Sequence, residues 1–231
     1  MAKGLFVVGT DTGVGKTTVS VGLVSAWTAD GKKMAVMKPV ETGNGGDAAA
    51  LLSATGRPLD PALVNPYRFP LPAAPEIAAR RAKKTIALGV IDAAYRNLAA
   101  DADLTLVEGA GGLLVPLGRG AMICDLVARL DLPLLIVART ELGTMNHTLL
   151  TAEVARRRGL RLLGVVFCRG RRAIGPEESE TVTTIVRLGE LRSFGVLPWL
   201  PKAVRASATR LGAQVRQHLE LAGLQKTIAR D

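Results

Sequence analysis

Aromatic residues make up only 3% of the 231-residue chain, which also holds just two cysteines and two histidines. So few aromatics leave the core to Leu, Val, Ile and Ala and offer little on which unpaired bases could stack, which argues against a single-strand-binding platform. Cys124 and Cys168 stand in apolar neighbourhoods with no Cys-x-x-Cys and no metal-ligand spacing. That excludes a disulfide scaffold and suits a reducing compartment. No apolar run approaches the ~18 residues of a membrane span, and the apolar stretch Leu5–Val8 is too short for a signal-peptide core. A cytoplasmic protein is expected.

What is present is ordinary in amount and unusual in balance. With 48% hydrophobic and 22% charged residues, a chain of this length suits one compact domain over residues 1–231, able to bury roughly 70% of its unfolded surface. Lys and Arg number 30 against 20 Asp and Glu, a net charge of +10. The excess is local: residues 151–231 carry 15 basic and 7 acidic side chains, whereas residues 1–150 are nearly balanced at 15 and 13. A charge of this size invites a polyanion as partner, but a solvated Arg-rich surface is the simpler reading.

Short apolar runs alternate with helical patterns. Leu5–Val8, Met34–Met37, Leu104–Val107, Leu134–Ala138, Leu162–Phe167 and Val196–Leu197 read as strands. Helices are expected at Val14–Ala29, Asp47–Ala54, Ile86–Ala100, Met122–Leu130, Met145–Arg157 and Glu177–Leu188. Six prolines predict irregular chain over 57–75, and Val204, Ala208, Leu211, Val215 and Leu219 share one face of a final helix. Fully apolar strands between helices define an α/β fold, a doubly wound, mostly parallel sheet with helices on both faces, and the glycine-rich loop from Gly9 to Thr18 makes it the P-loop type. In such sheets ligands bind beyond the carboxyl ends of the strands.

Gly9-Thr-Asp-Thr-Gly13-Val14-Gly15-Lys16-Thr17-Thr18 follows a strand and opens a helix, as a P-loop requires. Its glycines let backbone N–H groups turn around phosphate oxygens, Lys16 can reach the β- and γ-phosphates, and Thr17 can ligate Mg²⁺. Five residues rather than four separate Gly9 from Gly15. Lys38, closing the second strand, supplies another cation on the same sheet edge; two cations flanking a phosphoryl group neutralise the charge that shifts in its transfer. Asp47 ends the glycine-rich loop after Thr42, where it can either cap the next helix or join Thr17 and Glu108 around Mg²⁺. Glu108 closes a buried strand, and Gly109, Gly111 and Gly112 behind it leave amides for an anion.

Together these pieces resemble the dethiobiotin synthetases, ATP-dependent enzymes that close the ureido ring in biotin synthesis. The likeness runs through the P-loop, Lys38-Pro39-Val40, Thr42-Gly43 and Asn65-Pro66-Tyr67-Arg68-Phe69. It continues through the Pro72 and Pro75 pair, Val107–Gly112, Pro116-Leu117, Leu142–His147 and Leu197-Pro198-Trp199-Leu200. The resemblance implies that 7,8-diaminononanoate, carbon dioxide and a magnesium nucleotide react through a carbamate and a carbamic–phosphoric anhydride. It assigns catalysis to Lys38, Lys16 and Thr12, and nucleotide binding to Gly13, Val14, Gly15, Lys16, Thr17, Thr18, Cys168 and Pro198. Thr17, Asp47 and Glu108 would organise Mg²⁺; Thr12, Lys38, Thr42 and Gly111 would face the diamine. Gly143, Thr144, Met145 and Asn146, at a helix start, would hold its carboxylate tail from the neighbouring subunit of a homodimer, unless they are a plain helix cap.

Two departures stand out. Gly13 occupies a position where some family members carry Glu. Cys168 replaces an Asn that reads adenine, and a thiol is a weak hydrogen-bond partner, so nucleoside triphosphates other than ATP are open to it. The rival reading is a partitioning or division-site switch ATPase of the same fold, which binds DNA or membrane. Such proteins carry a second Lys early in the loop, where this chain has Thr10 and Asp11. The stretch Val204–Leu221, with Arg205, Arg210 and Arg216, has the polar face of a membrane-surface helix but an apolar face no wider than core packing needs. Neither a nucleic-acid nor a membrane partner is expected.

Overall fold

In the computed structural model, residues 4–171, 175 and 177–229 are described. Six strands form one sheet in the order Ser193–Leu197, Leu162–Cys168, Leu134–Arg139, Gly4–Gly9, Leu104–Glu108, Met34–Met37. Every neighbouring pair is parallel. The apolar character of the strands has the expected cause: Leu5 to Val8, Met34 to Met37 and Leu134 to Ala138 are all fully buried between helical layers. Register then brings the carboxyl ends together. Val7 pairs with Glu108, Gly9 with Val137, and Arg139 and Leu197 both with Cys168.

The helix Lys16–Ala29 starts behind Gly15 in the left-handed conformation and stops at Asp30, with Gly31 at φ +82°. Gly22 at its middle permits close approach of the helix Ala208–His218, because a Cβ there would overlap Val215.

Two sequence expectations need correction. Residues 57–75 are not irregular throughout: Pro61–Val64 is a short helix, and Tyr67–Phe69 pairs in parallel with Val40–Thr42. Pro61 serves as the first helical residue behind Asp60, whose carboxylate accepts from Ala62 N at 2.9 Å, so this proline starts a helix instead of preventing one. The expected single helix over 204–219 is two, Lys202–Arg205 and Ala208–His218, and a further helix, Leu221–Ile228, follows them. Ser207 caps the second through Arg210 N, and Leu219 leaves it to bridge Gly195 on the sheet edge. Among the described residues, no helix is long and apolar enough to cross a membrane.

Many arginines of the basic last third have defined partners. Arg156 donates to Gly189 O and Glu190 O, and Arg161 to Thr227 O, each at the end of another helix. Arg216 donates to Ala26 O at 2.8 Å and pairs with Asp30. Guanidinium groups at helix C-termini satisfy orphan carbonyls and favour the helix dipole.

Candidate nucleotide and phosphoryl-transfer site

The P-loop is held at its base by the strands on either side. Gly9 N donates to Gly111 O at 3.1 Å, and Thr10 N to Val137 O at 3.0 Å. Gly13 and Gly15 sit at φ +73° and +105°, conformations that suit glycine. Lys16 is buried, and its Nζ donates to Asp11 O at 3.0 Å across the loop. Burial, reinforced by repulsion from Lys38, holds the Lys16 ammonium below its ordinary pKa despite the attraction of Glu108.

Lys38 is fixed through its backbone before its side chain does anything. Its N–H donates to Val64 O at 2.8 Å, and Asn65 Nδ2 donates to Lys38 O at 2.6 Å. The ammonium then lies 2.6 Å from Glu108 Oε1 and 2.7 Å from Asp47 Oδ2. Thr17 Oγ1 donates to the same Glu108 oxygen at 2.9 Å. Burial alone would lower the Lys38 pKa, but Glu108 and Asp47 outweigh it and hold the group above its ordinary value. Burial would raise Asp47; Lys38, the Thr17 hydroxyl and Lys16 keep it below the usual carboxylate range. Asp47 therefore does not act as a side-chain cap: Gly46 holds that position, and the Asp47 carboxylate turns to Lys38.

The residues present fit a hard cation. Glu108 is fully buried and its Oε2 has no hydrogen-bond partner, while its Oε1 takes the Thr17 hydroxyl and the Lys38 ammonium that also holds Asp47. Among the described residues no cluster of three or more His, Cys, Asp or Glu side chains converges. Two carboxylates and a hydroxyl match the few protein ligands that Mg²⁺ takes alongside water and phosphate.

A cavity of about 710 Å³ opens over this cluster, lined by Thr12, Gly13, Gly15 to Thr18, Lys38, Thr42, Asp47, the Pro72–Pro75 segment and Gly111. It thus unites most of the predicted catalytic, phosphate and diamine residues. Gly109 is a correction, since its amide is used by Val7 O at 2.9 Å. A second cavity of about 180 Å³ adjoins it, lined by Gly13, Val14, Gly15, Thr18, Cys168, Pro198 and three arginines, Arg139, Arg169 and Arg205. Gly143, Thr144, Met145 and Asn146 line neither. Gly143 caps the helix Thr144–Arg157 at φ +91°, and Thr144 Oγ1 donates to Arg139 O at 2.9 Å, so within one chain this segment is a helix start.

Cys168 lies directly under the loop: a Cβ on Gly15 would come within 2.9 Å of its sulfur. Burial, with Glu141 adding, pushes its thiol up to about 12. A thiol so protonated is a poor nucleophile. At pH 8, Cys168 is expected to react with iodoacetamide at least ~100-fold more slowly than a free cysteine, as peptide mass spectrometry would measure. The unfolded chain would release this proton near the ordinary value of 9.0, while the folded chain keeps it to about 12. Stability from this group is therefore complete below pH 9 and declines as pH rises through that window.

Two residues that matter here carry no role in the sequence analysis: Arg139, read only as a strand end, and Glu41. Arg139 Nη2 donates to Thr12 O at 3.0 Å and so braces the loop from a neighbouring strand. Glu41 is buried beside Asp47; the signal for it was a carboxylate directly after Lys38-Pro39-Val40, where the chain is otherwise apolar.

A parallel sheet, a glycine loop entering a helix, and two buried lysines beside carboxylates at the strand ends define a P-loop nucleoside-triphosphate enzyme. Residues 3–207 match the family model described as an AAA domain. The chain is 43% identical over 227 residues to the ATP-dependent dethiobiotin synthetase BioD of Anaeromyxobacter dehalogenans (strain 2CP-C), covering 93% of this chain and 99% of that one. It is 38% identical to BioD 1 of Escherichia coli (strain K12), covering 90% and 96%, and 36% identical to BioD of Bacillus licheniformis, covering 95% and 94%. The chain belongs to the dethiobiotin synthetase family. Solved structures of similar fold include the MinD cell division protein of Aquifex aeolicus, with TM-score 0.58, 18% identity and coverage of 98% and 95%. A ParA family ATPase of Chlorobium tepidum matches at TM-score 0.55 and 14% identity, covering 98% and 95%. At that identity they share the fold alone, so the switch-ATPase reading gains no support beyond architecture.

Proposed function

We propose that this chain makes dethiobiotin from 7,8-diaminononanoate, carbon dioxide and ATP, as an ATP-dependent cyclo-ligase of the cytoplasm. The observation that carries this reading is Lys38, an ammonium bordering the phosphate cavity and held charged by Glu108 and Asp47. One amine of the substrate adds to carbon dioxide and loses a proton, giving a carbamate. A carbamate oxygen attacks the γ-phosphorus, and the bond to ADP breaks. The second amine then attacks the carbamoyl carbon of the anhydride; phosphate leaves with the C–O electron pair, and loss of the amine proton completes the ring.

Lys16 and Lys38 stabilise the charge that moves onto the leaving and transferred oxygens, in a site where burial strengthens each interaction. Thr12, Thr42 and Gly111 border the space next to Lys38 and suit the diamine. Thr17, Asp47 and Glu108 would hold Mg²⁺, which supplies charge neutralisation at the β- and γ-phosphate oxygens when bound. The base would enter the smaller cavity against Cys168 and Pro198, where the weak thiol leaves room for nucleotides other than ATP. A homodimer fits the exposure of Leu142, beside Gly143 to Asn146. That helix start, which lines neither of the two cavities of its own chain, would take the substrate carboxylate at a neighbouring subunit's site.

The purified protein is expected to release one phosphate per dethiobiotin formed, and only when diamine, bicarbonate, Mg²⁺ and nucleotide are all present. Coupled phosphate detection with mass spectrometry of the product measures both. Hydrolysis indifferent to the diamine and stimulated by DNA or lipid vesicles would sink the reading.

A further inference from the structure

The loop that carries Asp47 has little of its own to hold it. Gly43, Gly45 and Gly46 all lie at positive φ, and Gly46, the residue before the helix Asp47–Ala54, has no side chain to cap it. The cap comes from outside. Glu41 Oε1 accepts from Gly46 N at 3.0 Å and from Ala48 N at 3.1 Å, the two amides that flank Asp47. Glu41 itself is only 5% exposed, on the strand Val40–Thr42, so its reach is set by the strand pairing with Tyr67–Phe69. Arg68, directly opposite in that register, keeps its Nε 3.9 Å from Glu41 Oε2.

The consequence is a division of labour between two carboxylates. An acidic residue in the first turn of a helix is normally drawn to the free amides there. Because Glu41 occupies those amides, the Asp47 carboxylate can instead turn to Lys38, 2.7 Å away. A Cβ on Gly45 would meet Glu41 Oε2 at 2.8 Å, so the loop closes tightly over this carboxylate.

We propose that Glu41 is a positioning residue that, by holding the amides on both sides of Asp47, aims the Asp47 carboxylate at the metal site and sets its affinity for Mg²⁺. The inference rests on Asp47 being one of the residues that hold the ion. Outer partners of a metal ligand typically change metal affinity by about 10–100-fold when removed. Glu41→Ala is therefore expected to raise the Mg²⁺ concentration for half-maximal ring closure at least ~10-fold, with kcat at saturating Mg²⁺ within about 3-fold. Glu41→Gln, which keeps an oxygen acceptor for the same amides, is expected to restore most of the affinity.

Two readouts need no turnover. Mn²⁺ binding to the protein with ADP, followed by electron paramagnetic resonance, should weaken in parallel. In metal-free protein, amide hydrogen exchange should accelerate over residues 43–48 in Glu41→Ala and stay unchanged over the P-loop. Asp47→Ala is the reference. It should weaken Mn²⁺ binding by itself, and adding Glu41→Ala to it should cost nothing more, because a positioning residue has then lost what it positions. If Asp47→Ala binds Mn²⁺ normally, the assignment of Asp47 to the metal fails and takes the proposal with it. If Asp47→Ala weakens binding and Glu41→Ala does not, or if the two losses add, the role of Glu41 alone is overturned. Equal loss in Glu41→Gln and Glu41→Ala would also overturn the hydrogen-bond mechanism.

Discussion

Lys38→Ala is expected to slow ring closure by about 10²–10³-fold, the usual cost of removing one preorganised donor from developing charge, while nucleotide affinity changes only a few-fold. The affinity survives because the P-loop amides, Lys16 and Thr17 remain. The rate falls because Lys38 is the cation that Glu108 and Asp47 hold at the edge of the cavity. The same substitution strands Glu108, which is fully buried and keeps only the Thr17 hydroxyl on Oε1. Breaking a buried pair in this way costs roughly 3–5 kcal/mol, so the melting temperature should fall too. Stability and catalysis separate in the double variant Lys38→Ala with Glu108→Gln. Neutralising the stranded carboxylate should recover most of the melting temperature and none of the rate. Single-turnover dethiobiotin formation and calorimetry measure the two effects, and full ring closure by Lys38→Ala would refute the assigned role.

Gly164→Ala is expected to be the most damaging single methyl group outside the site. Gly164 lies at φ +145°, and a Cβ there would overlap Arg192 O, which already accepts from Val165 N at 2.9 Å. Strain at such a φ and overpacking each cost roughly 1–3 kcal/mol. Together they predict a loss of about 3–5 kcal/mol and a melting temperature lower by roughly 10 °C. The obstacle is backbone on both sides, so no side chain can move aside. Because the strand Leu162–Cys168 carries Cys168 to its place under Gly15, nucleotide affinity should weaken as well. A melting temperature unchanged in Gly164→Ala would mean that the edge strand Ser193–Leu197 yields more easily than its register suggests.

The central sheet was legible because its inner strands are nearly unbroken apolar runs, a pattern that burial on both faces rewards, while the edge strand Ser193–Leu197 showed only its last two residues. The P-loop, Lys38 and Glu108 were legible for the same reason: each ends such a run, and register delivers them to one edge. The parallel pair of Val40–Thr42 with Tyr67–Phe69 was not. Three-residue strands have too few positions to display a period, and the prolines around them read as breakers although Pro61 in fact begins a helix. The apolar spacing from Val204 to Leu219 was real but described a surface assembled from separate pieces, broken where Ser207 offers a new cap. The position of Glu41 beside Lys38-Pro39-Val40 could have marked it, but its role could not be read, since its partners are backbone amides, which no residue pattern advertises.

The arginines that donate to the ends of neighbouring helices give the basic last third a structural use. A net charge of +10 and an isoelectric point near 10.2 follow from that composition whatever the chain binds. Retention on heparin or a slow gel band with DNA at low salt would then report counterion release from any cationic surface. During purification the same property becomes an advantage: cation exchange near neutral pH should separate this chain from acidic proteins, and carried-over nucleic acid should be stripped with salt before any test of DNA-stimulated hydrolysis is believed.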